Sequence, residues 1–309
     1  MRARMKRRQL VRRLEIVAVV AVVAVSLAVG VYLALNYQGP GHSLDDKPVS
    51  QKVYSSLNQT STALPYGTTN STYLDLVQNY NGSHFFTSDN PPRPILVYVG
   101  ADYCPYCAIQ RWSLVMALMR FGSFTNLEYM VSGEDNLATF TFSASSYHSS
   151  YLVFQPYEVE DNGGAPLATL PSNYTYSFTY AGCPSGTAGV NCRKSYPFLN
   201  FADEYVVRGA FVNPLVLGTK NWTQIISSIE AGDSLGRQIK QGANVITAVI
   251  CKTTGNNPSS VCNSSITALE PTSYTLSSTS PSSELLVACT FVSTSSDAFI
   301  AGRDYQGWS

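Results

Sequence analysis

Charge is what this 309-residue sequence has least of: Asp, Glu, Lys and Arg make up 13% of it, about half the usual share. Histidine is scarcer still, with three residues, His42, His84 and His148. None of them stands beside a Ser or Asp in a hydrolase pattern, so all three read as loop residues without a catalytic role. The charges that exist are unevenly placed. Arg2, Arg4, Lys6, Arg7, Arg8, Arg12 and Arg13 crowd the first thirteen positions, and beyond residue 37 there remain 13 basic against 19 acidic side chains, a net −6. A mildly acidic body argues against nucleic acid as a partner. Its surface must be neutral and polar, rich in Ser, Thr, Asn and Tyr, which suits an extracellular setting. With 45% hydrophobic residues the chain has ample material for a core.

Residues 16–35 lack charge altogether and are dominated by Val, Ala and Leu. As a helix rising about 1.5 Å per residue, that stretch spans roughly 30 Å of hydrocarbon. The basic cluster before it predicts a cytoplasmic tail (1–15), a transmembrane helix (16–35) and everything later outside, in a single-pass cell-membrane protein. A cleaved signal peptide competes with this, although its apolar region usually runs to about 7 to 15 residues. The sequons Asn58, Asn70, Asn81, Asn173, Asn221 and Asn263 all follow the span, in agreement with an outside location. Residues 36–69, with Gly39-Pro40-Gly41 and Lys47-Pro48, read as an extracellular linker with one short strand near Val53–Leu57.

Further on, Thr72-Tyr-Leu-Asp75 has the form of a capping box and predicts a short helix. The apolar strand Ile95–Val99 then runs into Cys104-Pro105-Tyr106-Cys107. Beyond it, Ile109, Trp112, Val115, Met116 and Met119 recur at helical spacing, with Gly122 placed to end the helix. Leu127–Val131 alternates apolar and polar residues and reads as a second strand, parallel to the first because a helix crosses between them. Residues 132–196 show aromatic and Ser/Thr residues without a helical period, and read as a β-rich insertion whose aromatics serve a core. Tyr196-Pro197-Phe198 opens a two-stranded turn that ends at Gly209. Asn221 and Ser234 are placed to cap two helices. Residues 267–309 form a Ser/Thr-rich extension with one apolar run, Leu285–Val292, that reads as a strand.

Taken by itself, the CxxC admits three uses: half of a zinc site, a structural disulfide, or a redox pair. Zinc needs two further ligands, and the other cysteines come as Cys183/Cys192 and Cys251/Cys262. Each of those pairs brackets a short polar loop, as structural disulfides of an oxidising compartment do. Cys289 competes for pairing; in its apolar run it reads as a buried free thiol or an intermolecular bridge.

The order strand, CxxC, helix, strand, proline-led hairpin, helix resembles the thioredoxin superfamily over residues 94–131 and 196–231. Cys104-Pro105-Tyr106-Cys107 is similar to the glutaredoxin tetrapeptide, and Tyr196-Pro197-Phe198 to Gly209 resembles the cis-proline hairpin of DsbA-type oxidoreductases. Taken whole, the chain is similar to an archaeal family of membrane-anchored thioredoxin-like proteins. The resemblance implies an α/β, thioredoxin-like domain over 70–266, interrupted by the insertion 132–196. Cys104, at a helix N-terminus where the dipole favours a thiolate, is then the nucleophile, and Cys107 the resolving thiol. Pro105 fits the first helical turn, and Pro197, cis, lies opposite the sulfurs and offers backbone groups to a peptide. Two positions depart from these families: Tyr98 stands where they carry a buried carboxylate, so proton transfer needs water or another group, and Tyr196 stands where they carry a small residue. The expected function is that of an outward-facing thiol–disulfide oxidoreductase for surface or secreted proteins, using a redox partner protein but no metal or organic cofactor. The alternative is a non-catalytic cell-surface module of the same fold, for binding or envelope assembly.

Overall fold

The computed structural model describes residues 15–27, 29, 41–69, 71–80, 82, 84–180, 195–269 and 289–290. Residues 15–27 are helical (α1), and their apolar side chains stand exposed, Val17 and Val22 at 64% and 66%. Among the described residues no helix is long and apolar enough to cross a membrane. The other positions of the expected span, 28 and 30–35, lie outside the described residues, as do residues 1–14 of the basic tail and the sequons at Asn70 and Asn81.

From residue 41 on, the stretch read as a linker is built into the fold. Ser50 accepts the Val53 amide at 3.4 Å and starts the helix Gln51–Thr62 (α2). Val53, Leu57 and Ser61 recur every four residues, a helical period rather than that of the strand expected there, and Leu57 and Ser61 are buried. The capping-box segment forms a 3-10 turn, Ser71–Leu76, in place of an α-helix, and continues into the strand Val77–Asn79 (β1).

Ile95–Gly100 (β2) lies within a five-stranded mixed sheet. Its parallel neighbour is Val153–Glu158 (β7), in register from Ile95↔Val153 to Gly100↔Glu158. This corrects the assignment of that role to Leu127–Val131. Glu128–Val131 (β4) pairs instead with Ala138–Thr141 (β5), antiparallel, across a turn in which Asp135 and Asn136 take positive φ. Asp and Asn tolerate that conformation, so local closure wins over a long crossover. The edge strand β7, the parallel partner of β2, therefore falls inside the segment read as an insertion.

Between β2 and these hairpins runs Pro105–Met119 (α3), in which every residue but Tyr106 is buried. It ends with Arg120 at its C-cap. Gly122 does not terminate it but opens the strand Gly122–Thr125 (β3), paired with Ser146–Ser149 (β6). A Cβ at Gly122 would collide with the His148 carbonyl of β6, which is why glycine stands where the two backbones approach. Phe124, Phe142, Tyr147 and Phe154 interlock behind this ladder, with Phe142 and Phe154 ring centroids 5.1 Å apart. Trp112 and Trp222 donate to the carbonyls of Ala138 and Thr139, fastening β5 onto the helices.

Ser172–Tyr180 (α4) is a helix where strands and loops were expected, and Tyr174 and Phe178 form its buried face. Ser195–Tyr196 (β8) leads through a cis peptide at Pro197 into Phe198–Phe201 (β9) and Tyr205–Arg208 (β10). The sheet order is β1-β10-β9-β2-β7. Trp222–Ala231 (α5) carries a full capping box, Asn221 with Gln224, and Ser234–Thr253 (α6) is capped by Asp233 rather than Ser234. Ser264–Thr267 (α7) follows, and Cys251 at the end of α6 is bonded to Cys262 just before it. In the C-terminal extension, Cys289–Thr290 (β11) pairs antiparallel with β8; its other residues past 269 lie outside the described residues.

Alternation along β2 serves both faces of the sheet. Leu96 and Tyr98, with Leu199, Phe201 and Val207, join the core that contains α3 and α6. Val97 and Val99, with Phe198 and Val206, join a smaller core closed by Tyr174 and Phe178 of α4. At about 1.5–3 kcal/mol for each large aliphatic or aromatic side chain removed from water, the two cores hold helices against both faces.

Candidate functional site

Cys104 and Cys107 belong to the smaller core, together with Tyr196 and Phe198. The strand β2 ends at Gly100, and the turn Ala101–Tyr103 delivers Cys104 to the N-cap of α3, with Pro105 in the first turn. Proline suits that place because no helical bond is asked of its nitrogen. The Ala108 amide donates to the Cys104 carbonyl at 3.0 Å, closing the first turn.

The two sulfurs are not bonded to each other. Cys107 is a free, buried thiol, whereas Cys104, also without exposed surface, is held in a disulfide. Burial pushes the Cys107 thiol up to about 12, against the opposing pull of the Arg111 cation. Cys183 and Cys192 lie outside the described residues, while Cys251 and Cys262 are paired as read.

Tyr98 is buried beneath Cys107. Its hydroxyl has no ordinary hydrogen-bond partner among the described residues and lies by the Cys107 sulfur, where it favours the thiolate. Gly100, two residues along the same face, leaves room for that hydroxyl: a Cβ there would run into it. Tyr196 is also buried, its ring stacked on Phe178 at 5.9 Å. The Pro197 carbonyl accepts the Gly209 amide at 2.8 Å, and Gly209 has φ +83°, a conformation that favours glycine. Tyr106, the one residue of α3 that is not buried, packs against both cores.

A charged cluster beneath the cysteines was not foreseen. Arg111, one helical turn beyond Cys107, has no exposed surface. Its Nε and Nη2 donate to the two carboxylate oxygens of Glu158 at 3.0 and 2.6 Å, and Nη2 also donates to Asp102 Oδ1 at 3.2 Å and to the Ala101 carbonyl at 3.0 Å. Bidentate pairing of this kind is the strong form of the interaction. One cation faces two carboxylates, and Asp102 holds the odd proton: burial, then the Glu158 charge, raise its pKa to about 7. A signal existed in the sequence, since Cys107 and Arg111 share a helix face and a lone arginine among apolar residues requires a buried anion. The partner Glu158 comes from β7, 47 residues away.

The arrangement combines a helix-terminal sulfur in a disulfide, a second thiol kept protonated by burial, and a carboxyl poised to exchange a proton near neutral pH. Among the described residues no group of three or more His, Cys, Asp or Glu side chains is placed to hold a metal ion.

A family model described as a domain of unknown function (DUF929) matches residues 78–252, which takes in β2, the cysteine turn, α3 and the Pro197 hairpin. No curated protein and no solved structure matches the chain.

Proposed function

The chain belongs to that family of domains of unknown function (DUF929), and from the arrangement around Cys104 we propose that it is a thiol–disulfide oxidoreductase of thioredoxin-like fold, held at the outer face of a cell membrane by an N-terminal helix. What carries the reading is the unlike state of the two cysteines: the helix-capping Cys104 is engaged in a disulfide while Cys107, one turn deeper, is a free thiol. Thiol–disulfide exchange passes through such a state, in which the outer sulfur holds a partner and the inner one awaits its turn. The Tyr196–Pro197 peptide in the same core supports it, with a backbone edge for an extended protein substrate. Resolution begins when Cys107 loses its proton, aided by Arg111 and the Tyr98 hydroxyl, and attacks Cys104; the Cys104–Cys107 bond forms as the client sulfur leaves with the electron pair. A redox partner protein would then reset the pair. Cys107→Ser removes the release step, so mixed disulfides between Cys104 and client proteins are expected to accumulate on non-reducing gels. A variant that traps nothing, with a wild-type Cys104 inert to reductant and client alike, would refute the proposal.

A second reading has an observation of its own: a fully buried, disulfide-bonded Cys104 also fits a purely structural bond in a non-catalytic surface module. The reduction potential separates the two. Catalytic pairs lie at roughly −120 to −270 mV, and structural bonds below about −300 mV.

A further inference from the structure

Arg111 and Arg120 are both buried, yet they are met differently. Arg111 faces two carboxylates. Arg120, the C-cap of α3, is only 7% exposed and takes part in no ion pair among the described residues. Its Nε donates to the Ser61 carbonyl at 3.0 Å, and its Nη1 donates to Asn244 Oδ1 at 3.0 Å and to Thr247 Oγ1 at 2.8 Å. The Tyr66 ring stacks on the guanidinium, 3.8 Å from its central carbon to the ring centroid, and the Asn244 amide ties the Tyr66 carbonyl into the same network at 3.2 Å. All of these partners are neutral. Burial lowers the Arg120 pKa to about 10, so the group is still a cation at neutral pH, and a cation taken out of water without an anion to meet it is costly. Stacking fixes the plane of the fork, and with Nε and Nη1 engaged the edge that remains is Nη2. That nitrogen donates to no described residue and, unlike Nη1 of Arg111, is not sealed off from solvent.

Arg120 lines a cavity of about 340 Å³ between the end of α2 and helices α5 and α6. This is many times the roughly 30 Å³ share of one water and falls within the range of about 300–1,000 Å³ for small-molecule sites. Tyr66 forms part of the wall, Leu64 and Pro65 make an apolar side, and Glu230 and Lys240 bring one charge of each sign. Lys240 is half-buried and Glu230 exposed, and neither has an ion-pair partner among the described residues. Neither cysteine of the CxxC turn lines the cavity. We propose that it is a binding site for a small organic molecule with a singly charged oxyanion head, a carboxylate or a phosphodiester. Arg120 Nη2 and Lys240 hold the head, and the body of the ligand lies against Leu64 and Pro65. Two cations and one carboxylate leave the site with one net positive charge, the complement of a single negative one, whereas a dianion would leave the Glu230 carboxylate facing excess negative charge. The guanidinium is fixed by Tyr66, Asn244 and Thr247 before any ligand arrives, so little order is lost on binding. This inference stands apart from the oxidoreductase reading.

The test is isothermal titration calorimetry on the full-length protein in a non-ionic detergent, with potassium butyrate, potassium dimethyl phosphate and potassium sulfate, each compared with potassium chloride at equal ionic strength. Saturable binding of butyrate or dimethyl phosphate is expected, with sulfate weaker than the better of the two. Butyrate as the better ligand identifies a soluble acid, and dimethyl phosphate a lipid headgroup. Replacing Arg120 removes the cap of α3 and endangers the fold, so the two rim residues carry the comparison. Lys240→Gln should weaken binding roughly tenfold, the worth of one charge-assisted hydrogen bond. Glu230→Gln should tighten it by about two- to fivefold, since it removes the one like charge. No saturation beyond the chloride control, tighter binding of sulfate than of either monoanion, or one affinity shared by wild type and both variants would overturn the proposal.

Discussion

Arg111 has no exposed surface and faces two carboxylates, so the proton that settles on Asp102 gives the fold a pH dependence. In the unfolded chain this carboxyl ionises near the ordinary 3.8, and in the folded one near 7. The stability contributed by its protonated form is therefore full below about pH 4 and lost as the pH rises through about 7. Thermal melts followed by circular dichroism should show the midpoint falling by several degrees between about pH 5 and pH 8. Asp102→Asn should flatten that slope; an equal slope in both proteins would remove Asp102 from the account. Glu158→Gln strips Arg111 of its bidentate partner, a change expected to cost about 3–5 kcal/mol in denaturant unfolding. The cost should fall at the lower end, because Asp102 then ionises and takes up the pairing. The same three residues mark a limit of what the sequence discloses. Cys104 and Cys107 stand out from the order strand, CxxC, helix, while Tyr98, Tyr196 and Pro197 are singled out by the resemblance to the thioredoxin superfamily. Glu158 is not, since nothing local says that a strand far along the chain will set it against Arg111.

Helix α2 shows at the level of the element how composition misleads. Its twelve residues are mostly polar, and a polar run between membrane and domain looks like a tether. Yet Leu57 is fully buried, and Ser61 bonds back to its carbonyl at 2.6 Å. Leu57→Ala should lower stability by about 2–5 kcal/mol, as for a core leucine; a loss near zero would mean that α2 is an appendage. In α4, Tyr174 and Phe178 are spaced by four, but intervening aromatic and Thr residues mimic the alternation of a strand. In β7, Pro156 counts against a central-sheet assignment, because proline cannot donate to a ladder. Its place resolves the conflict: β7 is the edge of the five-stranded sheet and is bonded on one side, to β2. Helices α5 and α6 were readable because their caps and apolar stripes are local.

At the scale of the whole molecule, the described residues form a mixed α/β fold with helices on both faces of a mixed sheet. Its C-terminal boundary is covalently closed, since Cys251–Cys262 ties the end of α6 to the segment that enters α7. Replacing both cysteines by serine should lower stability by about 3 kcal/mol, the loop-closure value for so short a bridge, without altering the far-ultraviolet spectrum. A drop far beyond that would show that the bridge organises α6 itself.

The near-complete burial of α3 has a consequence in time. Amide hydrogens of a helix enclosed on every side exchange with solvent through global opening, whereas those of a short helix such as α4 exchange through local opening, and far more often. The cysteine turn is thus mounted on a slow part of the molecule, and α4, whose Tyr174 and Phe178 close its core, is a faster one. Access to the sulfurs is then timed by the breathing of their cover, while the reacting geometry beneath it stays still.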